Sequence, residues 1–257
     1  MPTALIVEDE PEANKLLSIL VQLRGYTTSS VYTGGEAIAS IERDPPDVVL
    51  LDLMLPDMNG FEVCDAVKVR KDTTLIPVVM VTARLAAENR AHSYTRGADH
   101  YVPKPYTPDQ IFEALDDTKQ WRSHAEGLDV AEGGEFSFVT SDEDETFREL
   151  SRVRSILFAK TPLDIEELRG VEEALRSLVQ DAEAWGKKNC VSRIAKLSYR
   201  VSSESLSLRL IDLSGWIRDD PRPPAERWPG VVSSSRFDIV EESRDEGIVT
   251  MVKHFNG

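Results

Sequence analysis

A doubly wound parallel α/β domain followed by a second domain of α+β type is the fold class that this sequence predicts. Three observations carry the prediction. Short runs such as Ala4-Leu5-Ile6-Val7, Val48-Val49-Leu50-Leu51 and Val78-Val79-Met80-Val81 are apolar at every position, as strands covered on both faces are. Stretches of helical periodicity lie between them, and strands alternating with helices give a parallel sheet. Beyond residue 135 the order changes to two long amphipathic stretches followed by alternating strands with short turns. The boundaries read as a first domain over 1–121, a linker over 122–134 (RSHAEGLDVAEGG) and a second domain over 135–257.

In the first domain the Ala4–Val7 strand ends in Glu8-Asp9-Glu10. Pro11–Arg24 sets Leu16, Leu17, Leu20 and Leu23 at helical spacing, with proline in the permissive first turn and Gly25 as a stop. Tyr26–Tyr32, rich in Thr and Ser, predicts a strand nearer the sheet edge. Thr33 caps a helix through Ile41, with Ala37, Ile38 and Ile41 inward. The Val48–Leu51 strand leads into Asp52. Asn59-Gly60 turns the chain into a helix bearing Phe61, Val63, Cys64 and Val67. Pro77 precedes the strand that ends in Thr82. A polar helix spans roughly 86–96 and stops at Gly97. Tyr101-Val102-Pro103 runs into Lys104, and a last helix covers Thr107 to about Trp121. The first domain thus has five strands.

Four of these strands, all but Tyr26–Tyr32, therefore deliver a polar group to the carboxyl end, the edge of an open α/β sheet where ligands bind. Taken singly, Asp52 is a turn-capping aspartate, Thr82 a strand-end threonine, Lys104 a surface lysine and Tyr101 an edge aromatic. Together they are an acid pair, an isolated aspartate, a hydroxyl and an amine in one place. Converging carboxylates repel one another unless a cation joins them. Mg2+ suits one or two carboxylates together with phosphate oxygens and waters. The set is built to hold a phosphoryl group on Asp52.

The motifs LIVEDE, VVLLDLMLPDMNG, VMVTA and HYVPKP, in that order over roughly residues 1–121, resemble the response-regulator receiver domain of two-component signalling. The resemblance implies that Asp52 is the phospho-acceptor. It implies that Glu8, Asp9, Asp52 and the backbone carbonyl of Met54 serve Mg2+, and that Thr82 and Lys104 bind phosphoryl oxygens. Thr82 and Tyr101 would be the switch pair. Met54 and Arg84 stand where the family tunes hydrolysis. An apolar Met cannot orient water, so a long-lived phosphate is expected.

Composition narrows the function. The 257 residues suit one or two domains. Residues 1–120 carry 11 basic and 19 acidic side chains and the rest 19 and 26, so both halves are acidic. Neither has the footprint of a DNA-backbone binder. Cys64 and Cys190 are far apart, which reads as reduced thiols. Met1-Pro2-Thr3 runs straight into a strand with no basic leader, and no apolar stretch is of membrane-spanning length. A soluble, cytoplasmic protein is expected, bound to neither DNA nor membrane.

In the second half, Glu135–Thr140 alternates as a strand does. Ser141 or Asp142 caps a helix to Ala159, with Phe147, Leu150, Val153, Leu157 and Phe158 on one face. A second helix runs from about Leu163 to Trp185, with Leu168, Val171, Leu175, Leu178 and Val179 inward. Ile194–Val201 and Ser205–Asp212 form an antiparallel pair turning at Ser203-Glu204. Residues 214–236, rich in Pro, Gly, Ser and charge, read as loop. Phe237–Glu241 and Gly247–Lys253 close a hairpin through Arg244–Gly247. Gly133-Gly134-Glu135-Phe136 resembles part of the signature of cyclic-dinucleotide synthases, but is a residue short and lacks the rest of such a domain.

The order over roughly 135–256 resembles the two-layer GHKL-type ATPase fold of anti-sigma-factor serine kinases. That family carries an E-x-x-x-N box, which here reads Glu173-Ala174-Leu175-Arg176-Ser177, with Ser177 in place of Asn. Its D-x-G-x-G strand end reads Asp212-Leu213-Ser214-Gly215-Trp216, with Ser and Trp where glycines let the backbone approach a nucleotide. Gly230–Phe237 offers one glycine toward a phosphate lid. The expectation is a GHKL-like domain that has lost nucleotide binding, with Glu173, Ser177 and Asp212 as remnant positions.

The expected function is a response regulator that takes a phosphoryl group on Asp52 in a Mg2+-dependent reaction. The donor would be a sensor histidine kinase or phosphotransfer protein. Output would pass through a protein partner, with a sigma/anti-sigma pathway as one candidate. Catalysis is limited to the receiver's own phosphorylation and dephosphorylation. The alternative is an output domain that is an active ATP-dependent serine kinase with Glu173 as base.

Overall fold

A computed structural model describes residues 1–83, 93–129, 131, 133–139, 143–190, 193–213, 215–219, 222–228, 231 and 237–255. The chain divides into two compact units, Met1–Leu128 with Ser151–Ala159, and Asp129–Leu150 with Lys160–Gly257.

In the first unit, β1 (Thr3–Val7), β2 (Thr27–Val31), β3 (Val48–Leu51), β4 (Val78–Thr82) and β5 (His100–Pro103) form one sheet in the order β2-β1-β3-β4-β5. Every pairing is parallel. Order reverses at β1, so β1 and β3 diverge at their carboxyl ends and leave a crevice there. All residues of β3 and β4 are buried, which is why these strands show no alternation. β2 is half-exposed, as an edge strand is.

The helices are α1 (Pro11–Leu23), α2 (Gly34–Arg43), α3 (Gly60–Lys68) and α4 (Pro108–Gly127). Thr33 caps α2 by accepting from the Glu36 amide. Asn59 and Glu62 form a reciprocal capping box at the start of α3. The helix expected over 86–96 falls mostly on 84–92, outside the described residues. α4 runs six residues past Trp121, to Gly127, into what reads as linker. Polar composition misleads there because Trp121 and Ala125 are buried while the other positions stay wet.

On the helix α5 (Glu143–Lys160) Leu150, Val153, Leu157 and Phe158 are buried as expected and Phe147 is half-buried, while Ser151, Arg152 and Ser155 are buried as well. Its Ser151–Ala159 portion clusters with the first unit rather than forming a core of the second. Arg152 Nη2 lies 2.6 Å from Asp117, its guanidinium stands 5.6 Å from the Trp121 ring, and Lys71 sits 5.5 Å from the Phe158 ring. Periodicity shows that a stripe is buried and is silent on what buries it.

The second unit is built on β6 (Gly134–Val139), β7 (Arg193–Val201), β8 (Ser205–Asp212), β9 (Ile239–Ser243) and β10 (Ile248–His254), in the order β6-β7-β8-β10-β9, all antiparallel. Alternation decides the faces: Leu197, Tyr199, Leu206, Leu208, Leu210, Val249 and Met251 are buried, and the residues between them are half-buried or exposed. The long helix α6 (Ile165–Asn189) packs against β7. Asp164 caps it by accepting from the Glu166 and Glu167 amides. Residues 214–236 are not all loop. They include the short helices α7 (Trp216–Asp219) and α8 (Pro224–Arg227). Trp216 and Trp228 meet edge to face there at 5.5 Å between ring centres. Polar and proline content hid two buried tryptophans.

Glu183, on the buried side of α6, has one carboxylate oxygen without a hydrogen-bond partner. Burial raises its pKa from 4.5 to about 7. The folded state therefore holds this proton more tightly than the unfolded chain. The destabilisation is absent below about pH 4.5, grows as pH rises, and is complete above about 7. It amounts to on the order of 3 kcal/mol. In urea unfolding, Glu183→Gln is expected to raise stability at pH 8 and to leave it unchanged at pH 4.5. An equal effect at both pH values would mean that the carboxyl does not titrate there.

Candidate functional site

The crevice at the carboxyl ends of β1 and β3 gathers Glu8, Asp9, Asp52 and Lys104 of the predicted residues. Asp52 follows β3 directly, and its amide donates to the Val7 carbonyl at 2.9 Å, which locks it beside the end of β1. Glu8 and Asp9 leave β1 at the same level. Ligand atoms of Glu8, Asp9 and Asp52 lie within 4.8 Å of one another, with Glu8 and Asp52 buried and Asp9 exposed. Lys104 leaves β5 and places its ammonium 2.6 Å from Glu8 Oε2 and 2.6 Å from Asp52 Oδ2. The other Asp52 oxygen accepts from the Met54 amide at 3.1 Å. Thr82, fully buried at the end of β4, accepts the Lys104 amide on its carbonyl at 2.8 Å. Tyr101 is buried on β5 opposite Met80. The Met54 side chain is 58% exposed. Arg84 lies outside the described residues.

Burial lifts the pKa of Glu8, and the hydrogen bond from Lys104 offsets this only in part, with Asp52 adding to the rise. Burial also works against the Lys104 charge, but the bonds to Asp52 and Glu8 outweigh it and hold the amine above its usual range. One ammonium thus faces three carboxyl groups. Hard oxygen donors with an excess of negative charge, open on the Asp9 side, fit a small divalent cation.

Sequence reading missed Asn14 and Asp57, which hold this frame, and marked Gly60 only as a turn. Asn14, buried within α1, donates from Nδ2 to the carbonyls of Glu8 at 3.1 Å and Val31 at 3.2 Å, which ties the β1 and β2 ends together. A polar residue on the inward side of an amphipathic helix was the available signal. Asp57 accepts from the Gly34 and Gly35 amides, both at 2.8 Å, and pins the loop after Asp52 to the start of α2. These amides hold its carboxyl below the usual range. Gly60 closes the loop: a Cβ there would lie 2.2 Å from the Asp52 carbonyl oxygen, so only glycine lets α3 start so near the acid.

The remnant positions in the second unit do not gather in this way. Glu173 is exposed on α6 and Ser177 half-buried one turn on. Asp212 is buried, and its two oxygens accept from the amides of Gly215 at 3.0 Å and Ile217 at 2.7 Å. It caps the turn into α7. Most of residues 230–237 lies outside the described residues.

Residues 4–116 match the family model of the response regulator receiver domain. Transcriptional regulatory protein TcrA of Mycobacterium tuberculosis is 40% identical over 111 residues, 43% of each chain. Sensory transduction protein RegX3 of Mycolicibacterium smegmatis is 39% identical over 115 residues, 45% of this chain and 49% of that one. The chain thus spans less than half the length of these curated relatives. A solved response regulator receiver domain protein from Methanospirillum hungatei JF-1 is 30% identical, covering 48% of this chain and 97% of that one at a TM-score of 0.45.

Proposed function

We propose that this chain, whose first unit is a response regulator receiver domain, is a phosphorylated switch that signals through its second unit to a protein partner. The observation that carries the reading is the carboxylate cluster around Asp52 with Lys104 bridging two of its members. An oxygen of Asp52 attacks phosphorus in line, and the bond from phosphorus to the leaving nitrogen or oxygen of the donor breaks. The donor is a phosphohistidine of a sensor kinase or phosphotransfer protein, or a small acyl phosphate. Lys104, now beside the Asp52 oxygen, turns from carboxylate to phosphoryl oxygen, and Thr82 offers its hydroxyl to another. Glu8, Asp9, Asp52 and the Met54 carbonyl are the residues that would hold Mg2+, which when bound neutralises charge on the transferring group. Engagement of Thr82 and Lys104 favours one of two receiver states, with Tyr101 repacking between them.

The second unit we read as a GHKL-like module without nucleotide turnover. Support comes from its five-stranded antiparallel sheet with the long helix α6 against β7, and from Asp212, whose oxygens are engaged by its own turn. An active ATP-dependent kinase is not favoured for the same reason. TcrA is named a transcriptional regulator, but the shared length is 111 residues, and both halves of this chain are acidic. We therefore expect a protein partner, in keeping with a sigma/anti-sigma role, and no DNA contact. No helix among the described residues is long and apolar enough to cross a membrane.

The test is acetyl phosphate labelling of the full chain. Acid-stable, base-labile label is expected with Mg2+ and none with excess chelator, and the label should outlast minutes because the exposed Met54 cannot orient water. Equal labelling with and without Mg2+ would overturn the reading of the site. A pull-down with and without beryllofluoride then tests the output: a partner retained equally in both states would remove the switch.

A further inference from the structure

The outer face of the second sheet holds an uncompensated pair of arginines in an otherwise acidic chain. On β7 and β8, Arg200 stands opposite Ser207 and Arg209 opposite Ser198. Alternate residues of a strand share a face, so all four project from the same side, opposite to the buried leucines. The arginines occupy one diagonal of this square and the two hydroxyls the other, a diagonal being about 7–8 Å in an antiparallel pair. These four residues line a concavity of about 360 Å³, closed by Gly133 and Gly134 at the lead-in to β6.

Charge is the second observation. Arg169, Arg176, Arg227 and Arg244 each pair with a glutamate. Arg200 and Arg209 have no such partner among the described residues. The acid that lines the concavity, Glu135, is engaged by Lys196 at 2.6 Å. Glu241 lies two strands from Arg209, opposite Thr250 on β10. Like charges on neighbouring strands repel, and an anion between them converts that cost into binding. The lead-in shape is the third observation. Gly133 has φ +81°, and a Cβ on it would lie 2.3 Å from the Tyr199 carbonyl oxygen. A Cβ on Gly134 would meet the Tyr199 hydroxyl at 2.5 Å. Gly133 therefore lets the lead-in backbone close on Tyr199 and sets no side chain beside Arg200, while Gly134, in register with Tyr199, makes room for that ring on the inner face. This gives Gly133 and Gly134 a structural reason of their own.

We propose that this face is a binding site for a phosphomonoester, with Arg200 and Arg209 as its anchors. Guanidinium forks donate parallel hydrogen bonds to phosphate oxygens, and the hydroxyls of Ser198 and Ser207 supply further donors. The volume exceeds a bare phosphate and lies at the small end of ligand pockets. It suits a phosphate with a short organic remainder, free or carried on a phosphorylated side chain.

The test titrates the full chain, without Mg2+, with glycerol 3-phosphate, with a phosphoserine tripeptide and with a glutamate tripeptide. The arginine Nε–H resonances and the binding heat are followed. Both phosphate probes are expected to shift two arginine resonances, assigned by their loss in Arg200→Gln and Arg209→Gln. Each substitution should weaken binding about tenfold or more, as loss of a charged hydrogen bond does. The stronger of the two probes identifies the source as free or protein-borne. Acetyl phosphate labelling of both variants should match the parent, which separates this site from Asp52. Undisturbed resonances at tens of millimolar probe would overturn the proposal. So would a glutamate peptide binding as well as the phosphates, or binding that survives the double variant.

Discussion

Asp52→Asn is expected to take up no label from acetyl phosphate, with the intact mass unchanged after long incubation. The amide keeps the shape of the carboxyl group and its contact with the Met54 amide, but it lacks the nucleophilic oxygen. Asp9 and Glu8 are nearby carboxyl groups. Asp9 is exposed and Glu8 only 1% exposed, so Asp9 is the group open to an incoming donor. Label retained on the variant would transfer the acceptor role to Asp9, and peptide mapping would show it. Lys104→Ala tests the second half of the same idea. It leaves Asp52 as a nucleophile but removes the cation 2.6 Å from it. The labelling rate should fall on the order of 10²–10³-fold, as on loss of one preorganised donor to a charged transition state. A rate within twofold of the parent would mean that Lys104 serves the resting fold only.

Asp99→Ala is expected to destabilise the first unit by roughly 3–5 kcal/mol, a large share of a domain's total. Lys68 and Asp99 are each 1% exposed and meet at 2.9 Å. The Lys68 ammonium also donates to the carbonyls of Thr74 at 3.0 Å and Ile76 at 2.9 Å, so its three hydrogens are all used. The bonded Asp99 oxygen accepts in addition from the Val78 amide at 2.9 Å, where β4 begins. The pair joins the end of α3, the segment before β4 and the approach to β5. Gly97, at φ +100°, passes over the Lys68 stem so closely that a Cβ would lie 2.7 Å from its Cγ. Removing Asp99 strands a buried ammonium. The double variant Lys68→Met with Asp99→Ala should recover much of the loss, because an apolar stem needs no partner. Urea midpoints of the parent, the single variant and the double variant decide it. A single variant as stable as the parent would show that water reaches the ammonium.

The acids at the ends of β1 and β3, the threonine that ends β4 and the amine after β5 were legible because strand ends in a parallel sheet share one edge. Buried strands also announce themselves by unbroken apolar runs. Local order was enough for the cap at Thr33 and the turn into a helix at Asn59-Gly60, and not for the cap at Asp164, one residue past the expected helix start. It was not enough for Lys68 and Asp99, which lie 31 residues apart and read alone as ordinary surface charges. Nor did it reveal α7 and α8, since proline and arginine surround the tryptophans that are buried there.

Sequence by itself determined the parallel first unit, two strand pairs of the second sheet and which acids and amine meet at one sheet edge, because periodicity and strand-end position are local properties; that the whole second sheet is antiparallel was left open against a mixed one. The tertiary structure alone decided where the apolar stripe of α5 is covered, with Ser151–Ala159 held in the first unit. It also decided that Asp212 is engaged by its own turn and that Arg200 and Arg209 share one face beside two serines. Those outcomes depend on which surfaces meet across long stretches of chain, and a hydrophobic pattern carries no information about its partner.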